Sequence, residues 1–250
     1  MRGAALARKL IRPLGVDLVR YHEVPTDFSP QDAEILRRVS PYTLTTPERI
    51  WAAANAARYV VRANIPGDIM ECGTWRGGSL MAMALGLLDE GARDRGIWGF
   101  DTFAGMTRPE EVDVDLTGMT AAEEFERTAT GDDSSTWCAA SEDDVRDNVL
   151  KTGYPADRVQ LVAGKVEDTI PHEALGQIAL LRLDTDWYQS TRHEMEHLWP
   201  RLSPGGVLIV DDYGHWQGSR KAVDEYFESN GITLLMTRTD YTGRMMVKPG

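Results

Sequence analysis

The sequence predicts an α/β protein: a mostly parallel seven-stranded sheet with helices on both faces and an antiparallel hairpin at one edge. Three observations carry this expectation. From residue 68 onward, short apolar runs of strand length alternate with helical stretches. A glycine-rich turn follows the first run and opens a helix. The last two runs flank Tyr241-Thr242-Gly243, a glycine-containing turn suited to a hairpin.

Thr46-Pro47-Glu48 is a helix start, because a hydroxyl can cap exposed N–H groups and proline's fixed φ suits the first helical position. Ile50, Ala54, Ala57 and Val61 then recur at helical spacing, so this helix packs beside the first strand. That strand runs from Asp68 to Cys72 and leads through Gly73-Thr74-Trp75-Arg76-Gly77-Gly78-Ser79 into a helix rich in Met, Ala and Leu. Ile97 to Asp101 is the second strand, Glu142 to Lys151 a helix and Val159 to Val162 the third strand. Ile178 to Asp184 and Val207 to Asp211 read as buried strands separated by a helix from Ser190 to Trp199. Ile232 to Met236 and Arg244 to Lys248 make the edge hairpin.

Thr102 to Ser141 is rich in Gly, Pro, Asp and Thr without sustained periodicity, and reads either as a lid or binding loop or as surface decoration. The expected organisation is an arm, helical appendage and lid over residues 1–45, followed by one α/β domain over 46–250 with an insert at about 102–141.

A net charge of −12 without a basic stripe argues against a nucleic-acid partner, since phosphate binding depends on Lys and Arg. A neutral or cationic substrate is easier to accommodate. Cys72 and Cys138 are the two cysteines, and Cys72 falls within an apolar strand as a small core residue, which suits a reducing cytoplasm. The basic opening from Met1 to Arg12 is interrupted by charge too often for a signal peptide or membrane span, and reads as a mobile or oligomer-contacting arm.

Two buried strands end in acids: Leu183-Asp184-Thr185-Asp186-Trp187-Tyr188 and Val210-Asp211-Asp212. Such acids emerge at the sheet edge where open α/β folds bind ligands, and there they repel unless a cation or proton intervenes. A hard divalent ion such as Mg²⁺ suits that oxygen-rich set. Singly, each acid has a plainer reading, Asp211-Asp212 as turn residues and Asp184 as a helix cap; jointly, four acids at neighbouring strand ends favour metal.

The segment Glu71-Cys72-Gly73-Thr74-Trp75-Arg76-Gly77-Gly78-Ser79 reads as a nucleotide or carboxylate cradle, or as a tight strand–helix turn. It matches neither the dinucleotide fingerprint nor a phosphate loop, which favours a cofactor without a pyrophosphate. Asp101, ending the second strand, is placed to accept ribose hydroxyls, or else faces water. His215 is a rival base or a surface histidine, and Trp187, Tyr188 and Trp216 are candidates for an apolar wall. Arg182, inside an apolar run, reads as the partner of an acid within the sheet.

Phe100-Asp101-Thr102-Phe103-Ala104-Gly105-Met106, the Gly164 to Pro171 segment, Leu183 to Tyr188 and Asp211-Asp212-Tyr213 together resemble the macrocin O-methyltransferase family, over about residue 40 to the C-terminus. The resemblance implies a Rossmann-like class I methyltransferase that uses S-adenosylmethionine and Mg²⁺ to methylate a sugar hydroxyl of a glycosylated small molecule, a macrolide-like antibiotic or a glycolipid. It further implies Asp184, Asp211 and Asp212 as metal ligands and Asp186 as general base. The Gly73 to Gly78 turn with Ser79 would cradle the methionine moiety, and Asp101 would take the ribose. Val166 and Glu167 would line the adenine, as in the more distant catechol-type enzymes, and Thr43 would help close over the methionine carboxylate. A homo-oligomer, dimer or higher, is implied as well. Leu183-Asp184-Thr185-Asp186 also resembles the Asp-x-Asp signature of metal-dependent glycosyltransferases, and a non-catalytic cofactor-binding protein is the third reading.

Overall fold

The computed structural model describes residue 13 and residues 24–250; the basic opening segment expected to form an arm lies outside the described residues. In chain order the strands are β1 (Asp68–Cys72), β2 (Ile97–Asp101), β3 (Ala129–Gly131), β4 (Ser134–Ser135), β5 (Val159–Ala163), β6 (Ile178–Leu183), β7 (Leu202–Val210), β8 (Thr237–Arg238) and β9 (Arg244–Val247). The helices are α1 (Pro30–Val39), α2 (Pro47–Arg62), α3 (Gly78–Asp89), α4 (Ala122–Thr128), α5 (Glu142–Leu150), α6 (Val166–Thr169), α7 (Tyr188–Leu198) and α8 (Gln217–Ser229).

Seven strands form one sheet in the order β5-β2-β1-β6-β7-β9-β8. Pairing is parallel from β5 through β7, while β9 runs antiparallel to both β7 and β8. Successive strand side chains point to opposite faces, and the two cores follow that alternation. Ile69, Ile97, Val159, Leu180, Val207 and Ile209 pack with α1, α2, α3 and α5. Met70, Phe100, Leu181, Leu183, Leu208 and Val210 pack with α6, α7 and α8. Both faces are therefore dry, which is why these strands read as continuous apolar runs. Cys72 is a free, buried core residue, as expected.

Thr46 caps α2 as expected, its Oγ1 accepting from Arg49 N at 3.3 Å. Arg58 of α2 then reaches Asp32 of α1 at 2.6 Å and Asp89 of α3 at 2.7 Å, tying three helices together. No helix among the described residues is long and apolar enough to cross a membrane.

The edge hairpin forms, but its outer strand is the two-residue β8 rather than Ile232 to Met236. Ile232, Leu234 and Met236 pack on the core without laddering, and Leu235 is 84% exposed. The 102–141 insert is docked rather than decorative. It contributes α4 and the β3–β4 hairpin, and its Asp113, fully buried, accepts from Tyr188 N at 2.8 Å at the start of α7.

Candidate active site

β6 and β7 are parallel neighbours with Leu183 opposite Val210, so Asp184 and Asp211 leave the sheet side by side. The ladder runs one step further: Asp184 N donates to Cys72 O, and Asp211 N to Leu183 O, each at 2.9 Å. The chain then turns sharply, with Asp186 at φ +69°, a left-handed value uncommon outside glycine. That turn brings Asp186 beside Asp184 and Asp212, each offering a carboxylate oxygen within 4.8 Å of the others.

Burial, followed by the fields of neighbouring carboxylates, pushes Asp186 up to about 7. Burial likewise lifts Asp184 and Asp212 well above the usual carboxylate range. Three acids this close hold protons until a cation neutralises them, so the donor set fits a hard divalent ion.

Asp211 sits differently. Its Oδ1 lies 2.6 Å from Arg182 Nη2 as an ion pair, while Arg49 Nη1 bonds Oδ2. Arg182 also pairs with Glu71 and, at 2.7 Å, with Asp184. The expected set Asp184, Asp211 and Asp212 is thus split: Asp211 is held by two arginines, and Asp186 completes the close trio. Arg49 continues to Asp240 at 2.7 Å, joining the start of α2 to the β8–β9 turn.

Across the same cavity, of about 360 Å³, lies the glycine turn. Gly73 has φ +79°, and a Cβ there would run into the Asp184 carbonyl oxygen, so glycine lets the cradle touch the acidic loop. A Cβ at Gly78 would come within 2.6 Å of Thr43 Cβ, since the 42–45 segment lies directly over the start of α3. Gly77 caps α3 with no side-chain hydrogen bond, which leaves N–H groups for an anionic ligand end. Asp101 braces the turn, its Oδ2 accepting from Thr74 N at 2.7 Å and Trp75 N at 3.1 Å, its Oδ1 from Phe103 N at 2.8 Å.

Of the residues singled out from sequence, Thr43, Gly73, Thr74, Gly78, Ser79, Asp101, Val166, Glu167, Asp184, Asp186, Asp211, Asp212 and His215 line this cavity. Glu71 and Gly77 do not. Glu71 is fully buried against Arg182 inside the sheet, and Gly77 faces Val145 and Val149.

The expected aromatic wall is also rearranged. Trp216 lines the cavity, but Trp187 is buried beneath it, and the Tyr188 hydroxyl bonds Glu225 at 2.8 Å. Trp137 and Met106 of the insert supply wall instead. Trp137, Trp187 and Trp216 contact one another edge-on, with centroids 5.1–6.4 Å apart, and so bolt the insert to both acidic loops. His215 packs on Trp216 at 4.8 Å, and burial lowers its pKa, which keeps the imidazole neutral.

The family model described as macrocin O-methyltransferase (TylF) matches residues 31–248. The chain is 34% identical over 215 residues to 8-demethyl-8-(2,3-dimethoxy-alpha-L-rhamnosyl)-tetracenomycin-C 4'-O-methyltransferase of Streptomyces olivaceus, covering 85% of this chain and 78% of that protein. It is 32% identical over 185 residues to demethyldecarbamoylnovobiocin O-methyltransferase of Streptomyces niveus, covering 74% of this chain and 67% of the relative. The solved O-methyltransferase NovP superposes with a TM-score of 0.71 at 30% identity, covering 84% of this chain and 83% of that one.

Proposed function

The chain belongs to the macrocin O-methyltransferase family and is an S-adenosylmethionine-dependent O-methyltransferase, and on that premise we propose that it methylates a sugar hydroxyl of a glycosylated natural product with the help of Mg²⁺. The observation that carries the reading is the trio Asp184, Asp186 and Asp212, with oxygens within 4.8 Å, in one cavity with the glycine turn. The glycosyltransferase and non-catalytic readings give way to the family assignment. The Streptomyces olivaceus relative, named for a rhamnosyl tetracenomycin, supports a glycosylated acceptor.

In this reading the Gly73 to Ser79 turn and the open start of α3 bind the methionine end of the cofactor, under Thr43. Asp101 offers its remaining lone pairs to the ribose, and Val166 and Glu167 flank the adenine. Asp184 and Asp212 would hold the cation, while Arg49 and Arg182 pair with Asp211 beside it. A divalent ion there supplies Lewis-acid stabilisation of a developing alkoxide. Asp186 would accept the proton of the acceptor hydroxyl as that oxygen takes the methyl group in line, the sulfur–methyl bond breaking and S-adenosylhomocysteine leaving; burial sets this carboxyl at about 7 before a cation binds. Trp137 and Trp216 present aromatic faces to the C–H surface of a sugar and exclude water. His215, neutral at the rim, is the second candidate for the proton. Free Cys72 and Cys138 suit a reducing cytoplasm.

The acceptor class is tested by supplying deuteromethyl-labelled cofactor with a glycosylated aromatic polyketide and, separately, with its aglycone. Label should enter the glycoside alone and appear in the sugar fragment on mass spectrometry. Label in the aglycone portion overturns the assignment.

A further inference from the structure

Glu194 is a buried carboxyl group that none of these steps uses. It lies on α7 with no exposed surface, and its Oε1 accepts a hydrogen bond from Thr185 Oγ1 at 2.9 Å. Thr185 is the residue between Asp184 and Asp186. Glu194 Oε2 is buried without a hydrogen-bond partner, and the Cys72 thiol is the polar group beside it. Among the described residues no Arg, Lys or His pairs with Glu194, so burial drives its pKa well up and the group is a neutral acid.

A polar group in this dry layer costs stability, and apolar packing alone does not call for it. The loop above it does call for an anchor. Asp186 holds a left-handed backbone that a non-glycine residue adopts only when its surroundings enforce it. Trp187 N donates to Thr185 O at 2.8 Å and Ser190 Oγ to the same oxygen at 3.3 Å, which fixes the carbonyl side of Thr185. The hydroxyl side is fixed by Glu194.

We propose that Glu194 is a positioning residue: through Thr185 it locks the strained Asp184–Asp186 loop, so that Asp184 stands preformed for the divalent cation with Asp186 beside it. The inference rests on the cation reading given under Proposed function. A hydrogen bond that orients a ligand-bearing loop acts on affinity without touching the ion.

The test measures Mn²⁺ binding by electron paramagnetic resonance, S-adenosylhomocysteine binding by calorimetry and folding by circular dichroism, in the full chain. Glu194→Ala and Thr185→Val should each weaken Mn²⁺ binding about 10–100-fold with cofactor-product affinity unchanged. Glu194→Gln, whose amide oxygen accepts the same bond, should bind Mn²⁺ as the wild type does. Wild-type Mn²⁺ affinity in Glu194→Ala and Thr185→Val overturns the proposal, as does a Glu194→Gln protein as weak as Glu194→Ala. If Glu194→Ala fails to fold, Thr185→Val decides alone, weakened binding supporting and unchanged binding overturning. A wild-type protein that binds no Mn²⁺ sinks the cation reading itself and this inference with it, an outcome distinct from wild-type binding that the variants leave intact.

Discussion

Asp186→Asn is expected to lower kcat by roughly 10²–10⁴-fold, the usual range for loss of a general base, with little change in S-adenosylhomocysteine affinity. The substitution isolates proton transfer. Asparagine has the same shape and still offers an oxygen to a cation, but it takes up no proton at working pH. It also tolerates the φ of +69° at this position, so the loop geometry should persist. In the wild type, the acidic limb of the pH–rate profile reports deprotonation of this carboxylate. Burial sets it at about 7 without a cation, and a cation favours the charged form, so the limb should fall below that value. The limb should vanish in Asp186→Asn. Single-turnover kinetics across pH makes the measurement, and near-normal turnover would transfer the role to His215.

The second large effect is structural. Arg182 is a buried cation among Glu71, Asp184 and Asp211, and Arg182→Met keeps its volume while leaving Glu71 and Asp184 without their counter-charge and Asp211 with Arg49 alone. Breaking a buried pair from one side typically costs about 3–5 kcal/mol, because the orphaned charge stays behind. The cost should depend on pH with a definite sign. Burial pushes Glu71 up to about 7 even with Arg182 attracting the charged form. A folded-state pKa above the unfolded value means that the native state binds more protons, so this group's contribution falls as pH rises from the unfolded value to the folded one. Without Arg182 the folded value climbs further, extending the decline upward. Urea unfolding at acidic and alkaline pH should therefore show a small deficit at about pH 5 and the full deficit at about pH 8. A pH-independent deficit would mean that Arg182 acts through packing.

The acidic loops were legible because two apolar runs stop abruptly in acids, Leu183-Asp184 and Val210-Asp211, and strand register then sets the acids side by side. Arg182 was legible for the converse reason: a charge inside a dry strand must find a partner, and it found three. What the sequence did not disclose is which acid faces an arginine and which faces the cavity. Arg49 comes to Asp211 from another helix, 162 positions away, and no local pattern announces that contact. Glu194 gave no signal either, since an acid in a helix normally reads as solvated.

The edge strand shows a different limit. Ile232 to Met236 is apolar enough for a strand, but pairing depends on where β9 passes, and only Thr237 and Arg238 meet Met245 and Arg244. The helix α8 is inconspicuous because only Ala222, Val223 and Phe227 are its apolar buried positions. In the insert, order comes from tertiary contacts: Asp113 grips the start of α7, and Trp137 meets Trp187 and Trp216. Local periodicity carries none of that.

The proposed mechanism turns on a divalent cation held by Asp184 and Asp212 beside Asp186. Methyl transfer to a glycosylated acceptor, followed after exhaustive chelation and again after Mg²⁺ is returned, tests it most directly. The predicted result is loss of turnover to background and full recovery on return of the ion, with S-adenosylhomocysteine binding intact throughout. Undiminished methyl transfer by the chelated enzyme would contradict it.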